Sequence, residues 1–238
     1  MKNIKLLISN MNIKNENIFR LMVLLSIIFL SSFIKISFLS GSYKFFFSGI
    51  NFVLPLVGNL FGVATSGLIV FAFLLFKKFT IGGAITLGIP TVIATVYISL
   101  MSNYKNNFKN KLYNFLLSFI LPLFCMTLFI FHPMGNKAYI YSFYWLIPVV
   151  LYIAQRFKNF NIVYLNYLTA TFLAHAVGSI IWLYTMPMTV EQWIGLMPVV
   201  FVERIIFAFG VYIIYCILKK LCILELNKIK FFKTIKNI

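Results

Sequence analysis

From Phe19 to Leu221 the chain is apolar almost without interruption, broken only by short polar gaps. Several of the gap-bounded runs exceed the roughly 18 apolar residues that mark a membrane span. With 62% of its 238 residues hydrophobic and only 11% charged, the chain carries more apolar surface than a soluble domain can hide. The expected fold is an all-α integral membrane protein. It reads as one polytopic membrane domain over residues 1–238, with no stretch long and polar enough to form a separate soluble domain.

The apolar segments fall at about 19–39, 49–61, 63–76, 81–101, 112–131, 138–155, 162–186 and 196–218. That makes seven or eight helices, depending on block 49–76. The block has 28 residues before Lys77-Lys78, long for one span of about 20 residues. Charge favours dividing it into a short hairpin. Both termini then lie on the cytoplasmic side, which carries fifteen flanking Lys and Arg against five on the outer side: Lys35, Lys44, Lys77, Lys78 and Lys137. A single crossing splits the same charges less evenly. The spacing Gly58-x-x-x-Gly62, followed by Ser66-Gly67, lets the two arms of a hairpin approach closely. The first run, Leu21–Leu39, follows a basic stretch as a signal peptide would. It is long for that role, Lys35 interrupts it and no A-x-A-like site follows, so a retained first helix is expected.

The net charge of +17 is spread over loops and tails. In a membrane protein this sets orientation and attracts anionic lipid. No motif for nucleic acid accompanies it, so the bilayer is the expected partner. Three cysteines without CxxC spacing predict neither a disulfide framework nor a zinc site.

Ionisable side chains at bilayer depth are costly and mark candidate sites. His175 lies near the middle of segment 162–186, about 15 Å from its outer end at 1.5 Å per residue. Glu203 and Arg204 lie in segment 196–218, about 11 Å in. The segments are consecutive and antiparallel, so these residues can meet. They either line a polar cavity that binds a solute or form a buried structural cluster. Adjacent helix positions point about 100° apart, so Glu203 and Arg204 need not pair with each other.

Around His175 runs a small-residue ridge, Ala170-x-x-x-Ala174-x-x-x-Gly178, which allows another helix to pack closely. Thr171, His175 and Trp182 share one face, and an aromatic ring beside a histidine suits a flat, partly polar ligand. An interfacial anchor is the alternative role for Trp182. His132-Pro133-x-Gly135 reads as a turn whose histidine either caps a helix or closes over a ligand. Tyr139, Tyr141, Tyr144 and Trp145 read as an interfacial aromatic belt. Asn51 and Asn59 are unusual at depth and either hold the hairpin together or contact a solute.

There is no GxxxxGK[ST], HExxH or GxSxG, and no nucleophile or metal set stands out. No cofactor, metal or catalytic residue is expected from these motifs, and ATP hydrolysis by this chain is excluded.

The block from Phe47 to Gly67, reading FSGINFVLPLVGNLFGVATSG, resembles the second and third helices of substrate-binding (S) components of energy-coupling factor transporters. Both show a short apolar helix, a small-residue stretch ending in Phe-Gly and a second small-residue helix. The resemblance implies capture of a small micronutrient from outside a bacterial cytoplasmic membrane. It also implies separate ATPase subunits and a transmembrane coupling subunit as partners, and it carries over no binding residue. A non-catalytic membrane scaffold, or an intramembrane enzyme acting on a lipid or isoprenoid carrier, are the other two expectations.

Overall fold

The computed structural model describes residues 22, 26, 29–30, 33, 35–36, 47–48, 53–59, 63–64, 66–68, 70, 88–102, 104, 107–158 and 162–236. Asn51, Gly62 and Lys77-Lys78 lie outside them. Among the described residues, four helices are long and apolar enough to cross a membrane: Phe108–Phe131, Tyr139–Phe157, Val163–Thr185 and Val190–Lys220. A shorter apolar helix, Ile89–Ser102, accompanies them.

Near the N-terminus, helical residues Met22, Ser26, Phe29 and Leu30 give way to an antiparallel pair, β1 (Lys35–Ile36) with β2 (Phe47–Ser48). The expected helix 19–39 therefore ends before Lys35. The first arm of block 49–76 is not a span either. It is a 3-10 helix, Leu54–Asn59, a form seldom sustained beyond a few residues.

Residues 63–64, 66–68 and 70 are helical, and from residue 89 on the described residues form α1 (Ile89–Ser102), α2 (Phe108–Phe131), α3 (Pro133–Lys137), α4 (Leu146–Lys158), α5 (Val163–Thr185) and α6 (Val190–Lys236). α2 starts four residues earlier than the apolar run, because Asn107 caps it: its side chain accepts from the Asn110 amide at 2.9 Å. In mid-course α2 passes through a π turn at Leu116–Ile120, where the Leu121 amide bonds the Leu116 carbonyl. Pro122 supplies the reason. It has no amide for the Ser118 carbonyl, so the ladder shifts register there. A 3-10 helix, Tyr139–Trp145, leads into α4.

α6 starts at Val190, six residues before the apolar pattern. The cause is a reciprocal cap: the Gln192 amide reaches Thr189 Oγ1 at 3.3 Å and the Thr189 amide reaches Gln192 Oε1 at 2.9 Å. The helix then runs 47 residues, about 70 Å, more than twice the thickness of a hydrocarbon core of about 30 Å.

α5 is the central helix. Half of its most apolar window is buried (50%), against 28% in the other three long helices, whose remaining apolar faces are free for lipid. It packs on α1, α2, α4 and α6. Small residues set the approach. A Cβ on Gly178 would stand 3.4 Å from Pro90 Cγ of α1, and Ala170 is fully buried. Gly178 of this ridge thus packs inside the bundle, against α1.

Gly58 and Gly67 seat their segments on α1 as well. A Cβ on Gly58 would collide with the Thr95 carbonyl oxygen and lie 2.7 Å from the Ser99 amide nitrogen. One on Gly67 would meet Val96 Cγ2 at 3.2 Å. These two glycines thus allow close approach to α1; Gly62, the other glycine of the expected hairpin spacing, lies outside the described residues. Asn59 fixes the same seat: its amide donates to Tyr167 Oη at 3.3 Å, and its carbonyl accepts from Ser102 Oγ.

The core divides in two. One cluster joins Leu54, Leu56 and Val57 to Tyr97 and Ile98 of α1, Leu173 of α5 and Phe207 of α6. The other is aromatic, built on Phe129, whose ring meets Trp145 and Trp193 edge-on at 5.3 Å and stacks on Tyr141 at 5.6 Å. Tyr141 and Trp145 are thus core residues and not members of an interfacial belt; Tyr139 remains exposed.

Gly58→Ala is expected to cost about 2 kcal/mol or more, because backbone rather than a flexible side chain blocks the new methyl. Gly195→Ala, with open space around it inside α6, is expected to stabilise by about 0.5–1 kcal/mol. Thermal unfolding of both variants in detergent checks the pair.

Candidate functional site

A cavity of about 150 Å³ lies between the two core clusters, enclosed by the first 3-10 helix, α1, α5 and α6, with Tyr141 at its side. One face of α5 forms a wall, repeating every three or four residues from Tyr167 through Ala174 and His175 to Trp182. The facing stripe of α6 runs from Trp193 through Leu196, Val200 and Glu203-Arg204 to Phe207. Pro90, Thr91, Ala94 and Ile98 of α1 close the third side.

His175, Glu203, Arg204 and Trp182, each singled out from sequence, line this one cavity, as do Ala170, Ala174 and Gly178. His175 stands ten residues before the end of α5, about 15 Å along the axis, and Glu203 thirteen residues after the start of α6, about 20 Å. The earlier start of α6 sets Glu203 deeper than the apolar pattern implied.

Two polar groupings share the space. In the first, His175 Nδ1 and Nε2 lie 3.4 and 3.5 Å from Ser179 Oγ, one helical turn on. Ser179 Oγ in turn lies 3.4 Å from Tyr141 Oη. The His175 ring sits among Tyr141 and Trp145, at centroid distances of 5.5 and 6.5 Å. In the second grouping, Arg204 Nη2 donates to Glu203 Oε2 at 3.3 Å. The guanidinium also covers the Phe207 ring at 4.6 Å from its centroid, a cation–π contact. The side chains of Arg204 and Glu203 are only 9% and 14% exposed. Adjacent positions on a helix do pair here: both side chains are long, and an apolar surround makes each the other's nearest compensation. Thr171 Oγ1 donates to the Arg204 carbonyl at 3.3 Å, tying α5 to α6 at that level.

His132 takes the capping alternative. Its Nδ1 accepts from the Met134 amide at 3.2 Å at the start of α3, and its ring lies against Tyr184 at 4.9 Å. It lines a different cavity, with Thr185, Met186 and Pro187 of the α5–α6 turn. Asn51 lies outside the described residues, and Asn59 is engaged by Ser102 and Tyr167. Among the described residues no group of three or more His, Cys, Asp or Glu is placed to hold a metal ion.

Three site residues were not singled out from sequence. Ser179 was legible, four residues after His175 on the same helix face. Phe207 was legible as the residue one turn after Glu203. Trp193 was hidden, because a loop was expected where the Thr189–Gln192 cap starts α6. Trp193 is 2% exposed, and its Nε1 has no hydrogen-bond partner among the described residues.

Comparison with protein-family models, curated proteins and solved structures finds no match to the chain.

Arg204→Met is expected to cost about 3 kcal/mol by leaving the Glu203 carboxylate uncompensated in an apolar wall. Glu203→Gln combined with Arg204→Met is expected to recover most of that loss. A double-mutant cycle by thermal unfolding in detergent gives the coupling.

Proposed function

We propose that this protein is the solute-binding subunit of a membrane transporter, similar to an S component. In this reading it captures a small micronutrient at the outer face of a bacterial cytoplasmic membrane and takes its energy from separate ATPase and transmembrane coupling subunits. The observation that carries the reading is the shared cavity of His175, Glu203, Arg204 and Trp182. Concave, mostly apolar sites with a few converging polar groups are the usual form of small-molecule sites, and they occur between helices of bundles. Ionisable groups at bilayer depth mark substrate pathways.

Orientation follows from charge. With the C-terminus of α6 in the cytoplasm, Lys105, Lys109, Lys111, Arg156, Lys158 and the six lysines from Lys219 to Lys236 flank the four long spans on the inside. Lys137 is then the one Lys or Arg flanking them on the outside. The cavity reaches Met188 in the turn before α6, so its near end faces outward in this arrangement. An even number of crossings, with both termini in the cytoplasm and residues 49–76 as a short hairpin, completes the topology.

One contact favours a second reading. Ser179 beside His175 is the juxtaposition of a nucleophile and a base, and it points to an intramembrane enzyme acting on a lipid or isoprenoid carrier. Against it, 3.4 Å is longer than the 2.6–3.2 Å of a working pair, and both ring nitrogens lie almost equally far from the hydroxyl.

Reporter fusions after Lys220 are expected to be cytoplasmic and a tag inserted at Met188 extracytoplasmic; the reverse pair would sink the orientation. The protein purified in mild detergent is expected to retain a stoichiometric small molecule, or an ATPase pair with a coupling subunit, by native mass spectrometry. A clean, empty protein whose Ser179→Ala variant loses turnover of an isoprenoid substrate would favour the enzyme instead.

A further inference from the structure

The second cavity, at the turn between α5 and α6, gathers sulfur in place of charge. Its volume is about 300 Å³, and three methionines line it: Met134 of α3, and Met186 and Met188 of the turn. The chain has nine methionines, so a third of them meet at this one place.

Local structure brings them together. Met186 leaves α5 in extended conformation, with φ −121° and ψ 129°, and its amide bonds the Trp182 carbonyl at 2.8 Å. Pro187 follows, and proline biases the residue before it toward this form. Alternate residues of an extended stretch point to one side, so Met186 and Met188 face the same space. Met134 comes from a distant part of the chain. The α2–α3 corner that carries it is joined to the end of α5 by the Tyr184 hydroxyl, which donates to the Leu128 carbonyl at 3.2 Å. The His132 ring against Tyr184, at 4.9 Å, adds to that junction. The Thr189–Gln192 cap secures the other end of the turn.

Filling gaps in a core is the ordinary use of methionine, and it accounts for part of this set. Met134 and Met188 pack on the aromatic cluster. It does not account for Met186, which lines the cavity and is 46% exposed.

Ligand chemistry selects the guest. No Asp, Glu or Cys lines the cavity, so a hard or doubly charged cation finds no anionic ligand there. Thioethers are soft, uncharged donors, and soft donors select Cu(I). His132 is the one imidazole at the wall. Its Nδ1 accepts from the Met134 amide at 3.2 Å, which places the proton of the neutral ring on Nε2. Ligation through Nε2 would break that cap, so the histidine positions Met134 and does not coordinate. We propose that Met134, Met186 and Met188 form a three-thioether site for a soft monovalent cation, Cu(I) or its chemical analogue Ag(I). The site adjoins the first cavity through Met188 and Trp193, and it rests on none of that cavity's polar groups.

The test is a titration of the detergent-purified protein with silver nitrate in chloride-free buffer, after accessible thiols are blocked with N-ethylmaleimide. Isotope-labelled methionine methyl groups report the ligands by NMR. A single equivalent of Ag(I) is expected to shift the methyl signals of Met134, Met186 and Met188 and to leave that of Met101, in α1, in place. Absence of those shifts overturns the site. Zn(II) is expected to bind about ten-fold or more weaker than Ag(I), and equal or tighter binding overturns the thioether assignment.

Met186→Leu combined with Met188→Leu nearly conserves volume and removes two sulfurs. It is expected to weaken Ag(I) about ten-fold or more, and undiminished affinity overturns the proposal. His132→Asn keeps an acceptor for the Met134 amide and removes the imidazole. It is expected to change Ag(I) affinity by less than about three-fold, and a loss as large as that of the double variant makes the imidazole a ligand and overturns the three-thioether set. Should the double variant not fold, the methyl shifts of the wild-type protein decide.

Discussion

The seat of α1 on the small-residue ridge of α5 is the contact on which the rest of the bundle depends. In an apolar medium no hydrophobic force draws helices together, so packing of small side chains must do so. Gly178 brings α1 to α5, with Pro90 against it, and Ala170 packs in one core cluster with Ala94, Tyr97 and Ile98 of α1. Gly58 and Gly67 bring the preceding segments onto α1, and Asn59 ties the same stretch to Tyr167 of α5. The same smallness leaves space: where the ridge faces both α1 and α6, no large side chain from α5 fills the interval between them. The cavity lies in that interval.

Polar residues sit where this space makes them tolerable. Arg204 is held by Glu203, by the Phe207 ring and, through its carbonyl, by Thr171. A pair formed by neighbours on one helix needs no partner from another helix. The charge compensation therefore survives small shifts of α5 against α6. That independence suits a site whose walls must yield to a ligand, and a pair bridging two helices would resist such movement.

Much of this was legible in the chain. Uninterrupted apolar runs gave the helices of α1, α2, α4, α5 and α6, and the rarity of ionisable residues at depth picked out His175, Glu203 and Arg204. The errors share a cause: apolar periodicity reports burial and is silent on backbone form. The Thr189–Gln192 cap and the Asn107 cap begin α6 and α2 in polar sequence, outside any apolar run. The 3-10 stretches Leu54–Asn59 and Tyr139–Trp145 lie within apolar segments that read as helices. Gly58 shows a close approach to α1 that its sequence could not assign, since small residues specify proximity without naming what comes near. His132 was ambiguous because a histidine before proline serves equally as a cap and as a ligand group.

These irregular stretches are also what completes the cavity. Backbone that is not α-helical is tolerated at membrane depth only where protein or a cavity surrounds it. Leu54–Asn59 is buried over most of its length, and its Pro55 forms part of the cavity wall. Tyr139–Trp145 turns Tyr141 and Trp145 inward while leaving Tyr139 and Phe143 exposed. In a 3-10 helix of 3.0 residues per turn Tyr141 and Trp145 stand about 120° apart around the axis, against about 40° in an α-helix, and they meet the Phe129 ring differently, one stacked and one edge-on. The aromatic cluster on Phe129 requires both rings at once. That cluster braces the start of α6 through Trp193 and thereby fixes the register in which Glu203 and Arg204 face His175's side of the cavity. Local departures from the α-helix are thus how a bundle of few polar residues brings them to one place.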